Sequence, residues 1–280
     1  MPQTIRIGHS PDSDDAFMFY ALAEGKLATG NLRYVHELAD IESLNQRALR
    51  GELEVSAVSI HAYAYLAGRY ALLASGASMG DGYGPRLVGL DPTPSDPRAT
   101  LSGCRVAVPG LRTTAYLALK LYQPEVEPVV VPFDQVGNAV KSGAADIGLV
   151  IHEGQLTFAA EGFALWQDLG AWWLEETGLP LPLGGNVVRR DLGPEVTAQI
   201  ARDLRASIEY GLAHRAPALA HASRYNRGIS EEDTDRFVGM YVNQWTVDYG
   251  PRGRQAVRLL LDRGFEAGII PHRIRVEFVG

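Results

Sequence analysis

Three short segments carry the side chains best suited to chemistry. The first ends on His152, in Asp146-Ile147-Gly148-Leu149-Val150-Ile151-His152-Glu153-Gly154. Histidine is the side chain whose ordinary pKa lies nearest neutrality, so it can take up a proton and return it. The residues before it, Ile147 to Ile151, are apolar apart from one glycine and are bounded by Gly143 and Gly154. A strand buried on both faces of a parallel sheet has this pattern. A histidine at its end stands at the carboxyl edge of the sheet, where open α/β folds seat their ligands. Position alone leaves two roles open, a proton-transferring group or a hydrogen-bonding strand cap.

The second segment is Thr113-Thr114, which follows Pro109-Gly110 and opens a helix. Two hydroxyls and the free N–H groups of a helix N-terminus make a seat for an anion such as a carboxylate. An ordinary threonine N-cap is the plainer reading. The third is the loop His9-Ser10-Pro11-Asp12-Ser13-Asp14-Asp15, between the first strand and the first helix. Ser13 or Asp14 would serve as its N-cap, and carboxylates suit a helix start. The loop nonetheless follows a strand's carboxyl end and so borders the same edge. Ser56 and Ser59 flank the end of a further buried strand, and Ser59 could donate to a ligand oxygen. Trp172-Trp173 reads either as an aromatic wall beside a flat ligand or as core.

Other chemistries lack their residues. Gly80-Asp81-Gly82-Tyr83-Gly84 has no lysine and no strand-to-helix turn, so it is neither a phosphate loop nor a dinucleotide fingerprint. No Gly-x-Ser-x-Gly elbow occurs. His36, His61, His214, His221 and His272 show no metal spacing and read as packing or surface residues, so neither metal nor cofactor is expected.

The elements that must position these groups alternate short strands with helices. Strand 4–8, helix 16–24, strand 32–36, helix 41–50, strand 55–59 and helix 61–67 make one α/β unit with a mostly parallel sheet. A proline-rich, polar stretch at 91–102 reads as a crossing. The pattern restarts with strand 105–108, helix 113–121, strand 126–131, helix 133–142, strand 146–151, helix 153–162 and strand 165–169. Leu179-Pro180-Leu181-Pro182-Leu183-Gly184-Gly185 cannot be helix interior and reads as the return crossing. Amphipathic helices at 194–213, 217–224, 230–242 and 251–263 follow. Two crossings between two α/β lobes describe a periplasmic-binding-protein-like (type II) fold with its ligand between the lobes. Residues 1–91 and 180–280 form the larger lobe and 92–179 the smaller.

The 280 residues carry a net charge of -7 with the acids spread along the chain, which leaves no basic footprint for nucleic acid. A single cysteine, Cys104, excludes an internal disulfide or a thiolate metal cluster. No run reaches membrane-span length and no leader pattern precedes the first strand, so a cytoplasmic location is expected.

Taken together, these segments resemble the 1,4-dihydroxy-6-naphthoate synthase family of the futalosine route to menaquinone. The resemblance rests on Ser10-Pro11 through Asp15 with Phe17, on Val58-Ser59, on Val106-Ala107-Val108-Pro109-Gly110 with Thr113-Thr114-Ala115-Tyr116, and on Ile151-His152-Glu153. Its longest stretch is Asp168-Leu169-Gly170-Ala171-Trp172-Trp173 through Glu176-Thr177-Gly178-Leu179-Pro180-Leu181-Pro182-Leu183-Gly184, and Tyr241-Val242-Asn243 matches as well. It implies a cofactor-free lyase that converts cyclic dehypoxanthine futalosine into 1,4-dihydroxy-6-naphthoate, with His152 as proton acceptor. Ala57, Val58, Ser59, Thr113 and Thr114 would contact a small carboxylate substrate, with Ser10 and Asp15 of the first loop beside them. The sequence does not fix the oligomeric state, and a homodimer is one assembly it leaves open. The chain departs from the family pattern Ser-Pro-Cys-Pro-Asn-Asp-Thr-Phe, reading Ser10-Pro11-Asp12-Ser13-Asp14-Asp15-Ala16-Phe17. The added acid keeps two alternatives in play, a paralogue acting on a related molecule and a solute-binding protein that closes on a different small carboxylate. Chorismate dehydratase, from the same route, has another first-loop signature.

Overall fold

Short apolar strands punctuated by glycine sort into two sheets. The structure is a computed structural model that describes residues 2–225 and 228–280. In chain order the strands are β1 (Gln3–His9), β2 (Leu32–Leu38), β3 (Val55–Ser59), β4 (Tyr70–Leu73), β5 (Ser78–Gly80), β6 (Arg86–Gly89), β7 (Arg105–Val108), β8 (Glu127–Val130), β9 (Ile147–Val150), β10 (Ala164–Asp168), β11 (Leu181–Arg189) and β12 (Phe278–Val279). The larger sheet runs β12-β4-β11-β3-β1-β2 with β5 paired to β11, and the smaller runs β10-β6-β9-β7-β8.

Each sheet is built on three parallel strands, β2-β1-β3 in one and β8-β7-β9 in the other. Beside the third lies an antiparallel strand at a point where the chain has just changed sheets, β11 against β3 and β6 against β9. The lobes therefore repeat one plan, and the carboxyl ends of β1, β3, β7 and β9 face a common cleft. All five residues of β3 are buried, as its uninterrupted small and apolar sequence requires.

The crossings differ from the sequence reading. β6 belongs to the smaller sheet, so the chain leaves the larger lobe between Gly80 and Arg86 and not at residues 91–92. Glycine makes this passage feasible. A Cβ on Gly80 would lie 2.1 Å from the Tyr83 carbonyl oxygen, and one on Gly170 would lie 2.0 Å from that same atom. Two backbone segments thus pass in contact where the glycine-rich stretch stands. The return segment is no mere connection: Leu181–Arg189 is β11, which pairs with β3, β4 and β5. The helix expected over 153–162 shrinks to Gly154–Thr157, while Leu169–Thr177 forms a helix capped by the Asp168 carboxylate.

One core cluster runs through the junction of the lobes, joining Val58, Tyr63 and Leu72 to Leu87, Val106 and Leu117. Trp173 is fully buried in it, and Trp172 packs edge-on against Tyr122 at 5.2 Å. The tryptophan pair is core, and neither ring lines the cleft. A second cluster holds the helix Ser13–Ala23 against Pro194–Ala213. Phe17, Met18 and Phe19 are each almost fully buried there, which stabilises the fold by about 1.5–3 kcal/mol per side chain. That packing anchors the start of the helix at the cleft. Among the described residues no helix is long and apolar enough to cross a membrane.

Candidate active site

The cleft is half open to solvent and is lined by residues of both lobes. Of the residues nominated from the sequence, Ser56, Trp172 and Trp173 do not line it, while His152, Ala57, Val58, Ser59, Thr113, Thr114, Ser10 and Asp15 do. They come from four strand ends, which explains how residues up to 142 positions apart in sequence share one surface.

His152 leaves β9 with φ +54°, the single non-glycine residue with positive φ among the described residues. Histidine tolerates this region better than most side chains, at a cost of about 1–3 kcal/mol. The turn brings its Nδ1 to 3.0 Å from Asp12 Oδ2, which lies in the larger lobe. Phe133 packs edge-on against the imidazole, with ring centroids 5.2 Å apart. The strand-cap alternative therefore gives way to an ion pair across the cleft. Asp12 occupies the N-cap position of the helix Ser13–Ala23, yet its carboxylate makes no capping bond. It accepts instead from the Ser10 hydroxyl and from His152. The cap expected at Ser13 or Asp14 is absent because Ser13 already begins the helix.

Burial by itself would lower the pKa of His152, but the Asp12 carboxylate, helped by Glu153 and Asp14, outweighs it and raises the ring to about 9. The resting pair is thus imidazolium and carboxylate. With Nδ1 committed to Asp12, Nε2 is the ring's other nitrogen for chemistry. The neighbouring acids respond to one another. Burial, then the Asp15 and Asp12 carboxylates, hold Asp14 well above the usual carboxylate range. Burial also raises Asp15 to about 7 although the Ser10 amide, 2.7 Å from Asp15 Oδ2, pulls the other way. Asp14 and Asp15, crowded beside Asp12, thus shed much of their charge by keeping protons.

The hydroxyls at the helix Thr114–Tyr122 are spent on structure. Thr113 Oγ1 donates to the Gly110 carbonyl at 2.8 Å and accepts from the Tyr116 amide at 3.2 Å. Thr114 Oγ1 donates to the Leu183 carbonyl at 2.6 Å and accepts from the His61 amide at 3.1 Å. The anion seat read from the sequence therefore loses its hydroxyls and keeps the amides of Thr114 and Ala115, which begin the helix and have no intrahelical acceptor. Ser59 is presented by Asn45, whose Oδ1 accepts from the Ser59 amide at 2.9 Å and whose Nδ2 donates to Ser59 Oγ at 3.2 Å. The Ser59 hydroxyl hydrogen is left for a ligand. Ser56 turns away and donates to the Ala57 carbonyl.

Sequence reasoning passes over four further groups. Asn45 and Asn186 lie in the interior of a helix and a strand, where nothing local marks them. Gln155 accepts from the Tyr241 hydroxyl at 2.7 Å, a second link between the lobes. Asp12 stands out only as one of three helix-start acids. Among the described residues the cleft lining contains no lysine or arginine, so His152 is the one cation there.

Comparison with known proteins bears on these features. A family model described as menaquinone biosynthesis matches residues 5–266. The chain belongs to that family. A 1,4-dihydroxy-6-naphthoate synthase from Thermus thermophilus is 39% identical over 99% of this chain and 100% of its own length. A solved structure from Archaeoglobus fulgidus is 44% identical, with a TM-score of 0.90 over 95% of this chain and 98% of that one. The alkanesulfonate-binding protein SsuA from Xanthomonas axonopodis pv. citri, at 13% identity, superposes with a TM-score of 0.67 over 98% of this chain and 96% of its own. That likeness establishes the periplasmic-binding-protein fold alone. The chain is thus an enzyme of menaquinone biosynthesis built on a binding-protein frame.

Proposed function

We propose that the chain is a lyase that converts cyclic dehypoxanthine futalosine into 1,4-dihydroxy-6-naphthoate. The observation that carries this reading is the His152–Asp12 pair, formed across the cleft with Nδ1 at 3.0 Å from Oδ2. An elimination that ends in an aromatic ring needs a group to remove a proton beside a carbonyl and to return a proton later. His152 does this from its deprotonated form, a small fraction at neutral pH, when Nε2 takes the proton and Asp12 stabilises the imidazolium that results. The substrate carboxylate lies at the Thr114 and Ala115 amides and the Ser59 hydroxyl. Lobe closure excludes water and completes the pair, since its two members come from different lobes. Raising both Asp14 and Asp15 limits the repulsion that an acidic loop would otherwise exert on an anionic substrate.

The test is direct. The purified protein is incubated with cyclic dehypoxanthine futalosine and the naphthoate is followed by chromatography and absorbance. Turnover by the wild type and its loss in a folded His152→Ala variant are expected. Tight binding without turnover by the wild type would instead make the chain a solute-binding protein.

A further inference from the structure

Asn186 sits on β11 directly opposite Ala57, in the register that also places Gly184 opposite Ser59. It shares the sheet face of those two cleft residues, lines the cleft and is 1% exposed. Its Nδ2 donates to the Gly76 carbonyl at 3.0 Å. A carbonyl only accepts, so the amide's orientation is fixed and its oxygen must face the other way. That oxygen, Oδ1, is buried and receives no hydrogen bond from the protein. Gly76 makes the arrangement rigid. Its φ is +86°, and a Cβ there would stand 2.3 Å from Asn186 Nδ2, so the loop can approach this closely only as glycine. The Gly76 amide is in turn tied to the Thr246 carbonyl at 2.7 Å.

A desolvated amide oxygen, preorganised yet unmatched, weakens the protein unless a donor reaches it. Asn186 stands two residues along the strand from the Ser59 pair, about 7 Å at 3.4 Å per residue. That offset suits the span from the carboxylate to a ring hydroxyl across a fused bicyclic acid.

We infer that Asn186 Oδ1 accepts a hydrogen bond from a ring hydroxyl of the bound molecule and so selects hydroxylated ligands over the bare acid. The inference rests on the naphthoate reading of the cleft and names the residue that reads the far end of the ligand. Its test compares two acids on one protein, so that general damage cancels in the ratio. Dissociation constants for 1,4-dihydroxy-6-naphthoate and for 2-naphthoate, which lacks both hydroxyls, are measured by calorimetry with wild type and Asn186→Leu. The wild type should prefer the dihydroxy acid by about tenfold, the worth of one net hydrogen bond. Asn186→Leu keeps the side-chain shape and should lose that preference, with 2-naphthoate bound within about twofold of wild type. If the leucine variant does not fold, Asn186→Ala gives the same ratio. A variant that retains the wild-type preference overturns the assignment, as does a wild type that binds both acids equally. A wild type that binds neither overturns the functional reading, and this assignment with it.

Discussion

Replacing Asp12 with asparagine keeps the shape of the side chain and removes its charge. The rise of His152 from the ordinary 6.5 to about 9 corresponds to roughly 3 kcal/mol in favour of the imidazolium. Because burial opposes that rise, the attraction to Asp12 must be larger still. In Asp12→Asn the burial stays and the main opposing charge goes, so His152 should titrate below 6.5. Wild-type His152, as a base, is deprotonated in only about one molecule in a hundred at pH 7, and kcat/KM should therefore climb about tenfold per pH unit until near 9. In the variant the climb should end below 6.5. Its plateau should be lower by about 10–100-fold, since an outer partner that orients and strengthens a histidine has been lost. The assays are a proton–carbon NMR titration of the His152 ring and a pH profile of kcat/KM. A histidine that still titrates near 9 in Asp12→Asn would refute the reasoning. A wild-type profile that falls with pH instead of rising would show His152 acting first as an acid.

Two further outcomes follow from the same geometry. The folded state binds the His152 proton more tightly than the unfolded chain, so this contribution to stability is complete below pH 6.5 and disappears as pH rises through about 9. Asp15, raised from 3.8 to about 7, has the same sign in a lower window, but there His9, His36 and His61, buried and lowered to about 3 to 4, act the other way; the melting temperature of the ligand-free protein should therefore fall between pH 7 and 9, and Asp15→Asn should make its rise with pH below 7 steeper than in wild type. A wild-type melting temperature that rises between pH 7 and 9 would count against the first assignment, and an Asp15→Asn profile parallel to wild type below pH 7 against the second. Thr114→Val removes the bond to the Leu183 carbonyl and leaves the His61 amide without its acceptor, so unfolding free energy should drop by about 1–3 kcal/mol. A variant as stable as wild type in urea denaturation would restore the hydroxyl to the ligand seat.

The Asp12–His152 pair also accounts for the departure of the first loop from its family pattern. Asp12 stands where the pattern has cysteine and supplies the partner of His152. Asp14 stands where the pattern has asparagine and, held well above the usual carboxylate range, keeps a proton and resembles an amide in being neutral. The extra acid thus alters the charge of the free cleft far less than the sequence suggests.

Periodicity alone was enough to place β1, β3, β7 and β9 and the long helices, because burial on a sheet face or helix stripe leaves a local pattern. It was enough also to set His152, Ser59 and Thr113-Thr114 at strand ends or a helix start, where ligands gather. What each group does there was decided only by the tertiary structure. Two strands that change sheets, β6 and β11, carry no local mark of which sheet they join, and the glycine contact between residues 80–84 and 170 exists only once both segments are placed. The partner of His152 lies 140 positions away, Thr114 spends its hydroxyl on a strand 69 positions away, and Asn186 becomes an acceptor for the cleft only because Gly76 fixes its other end. Sequence patterns record which face a residue turns inward; hydrogen bonds and charge pairs between distant segments are settled by packing, and here they decide the chemistry.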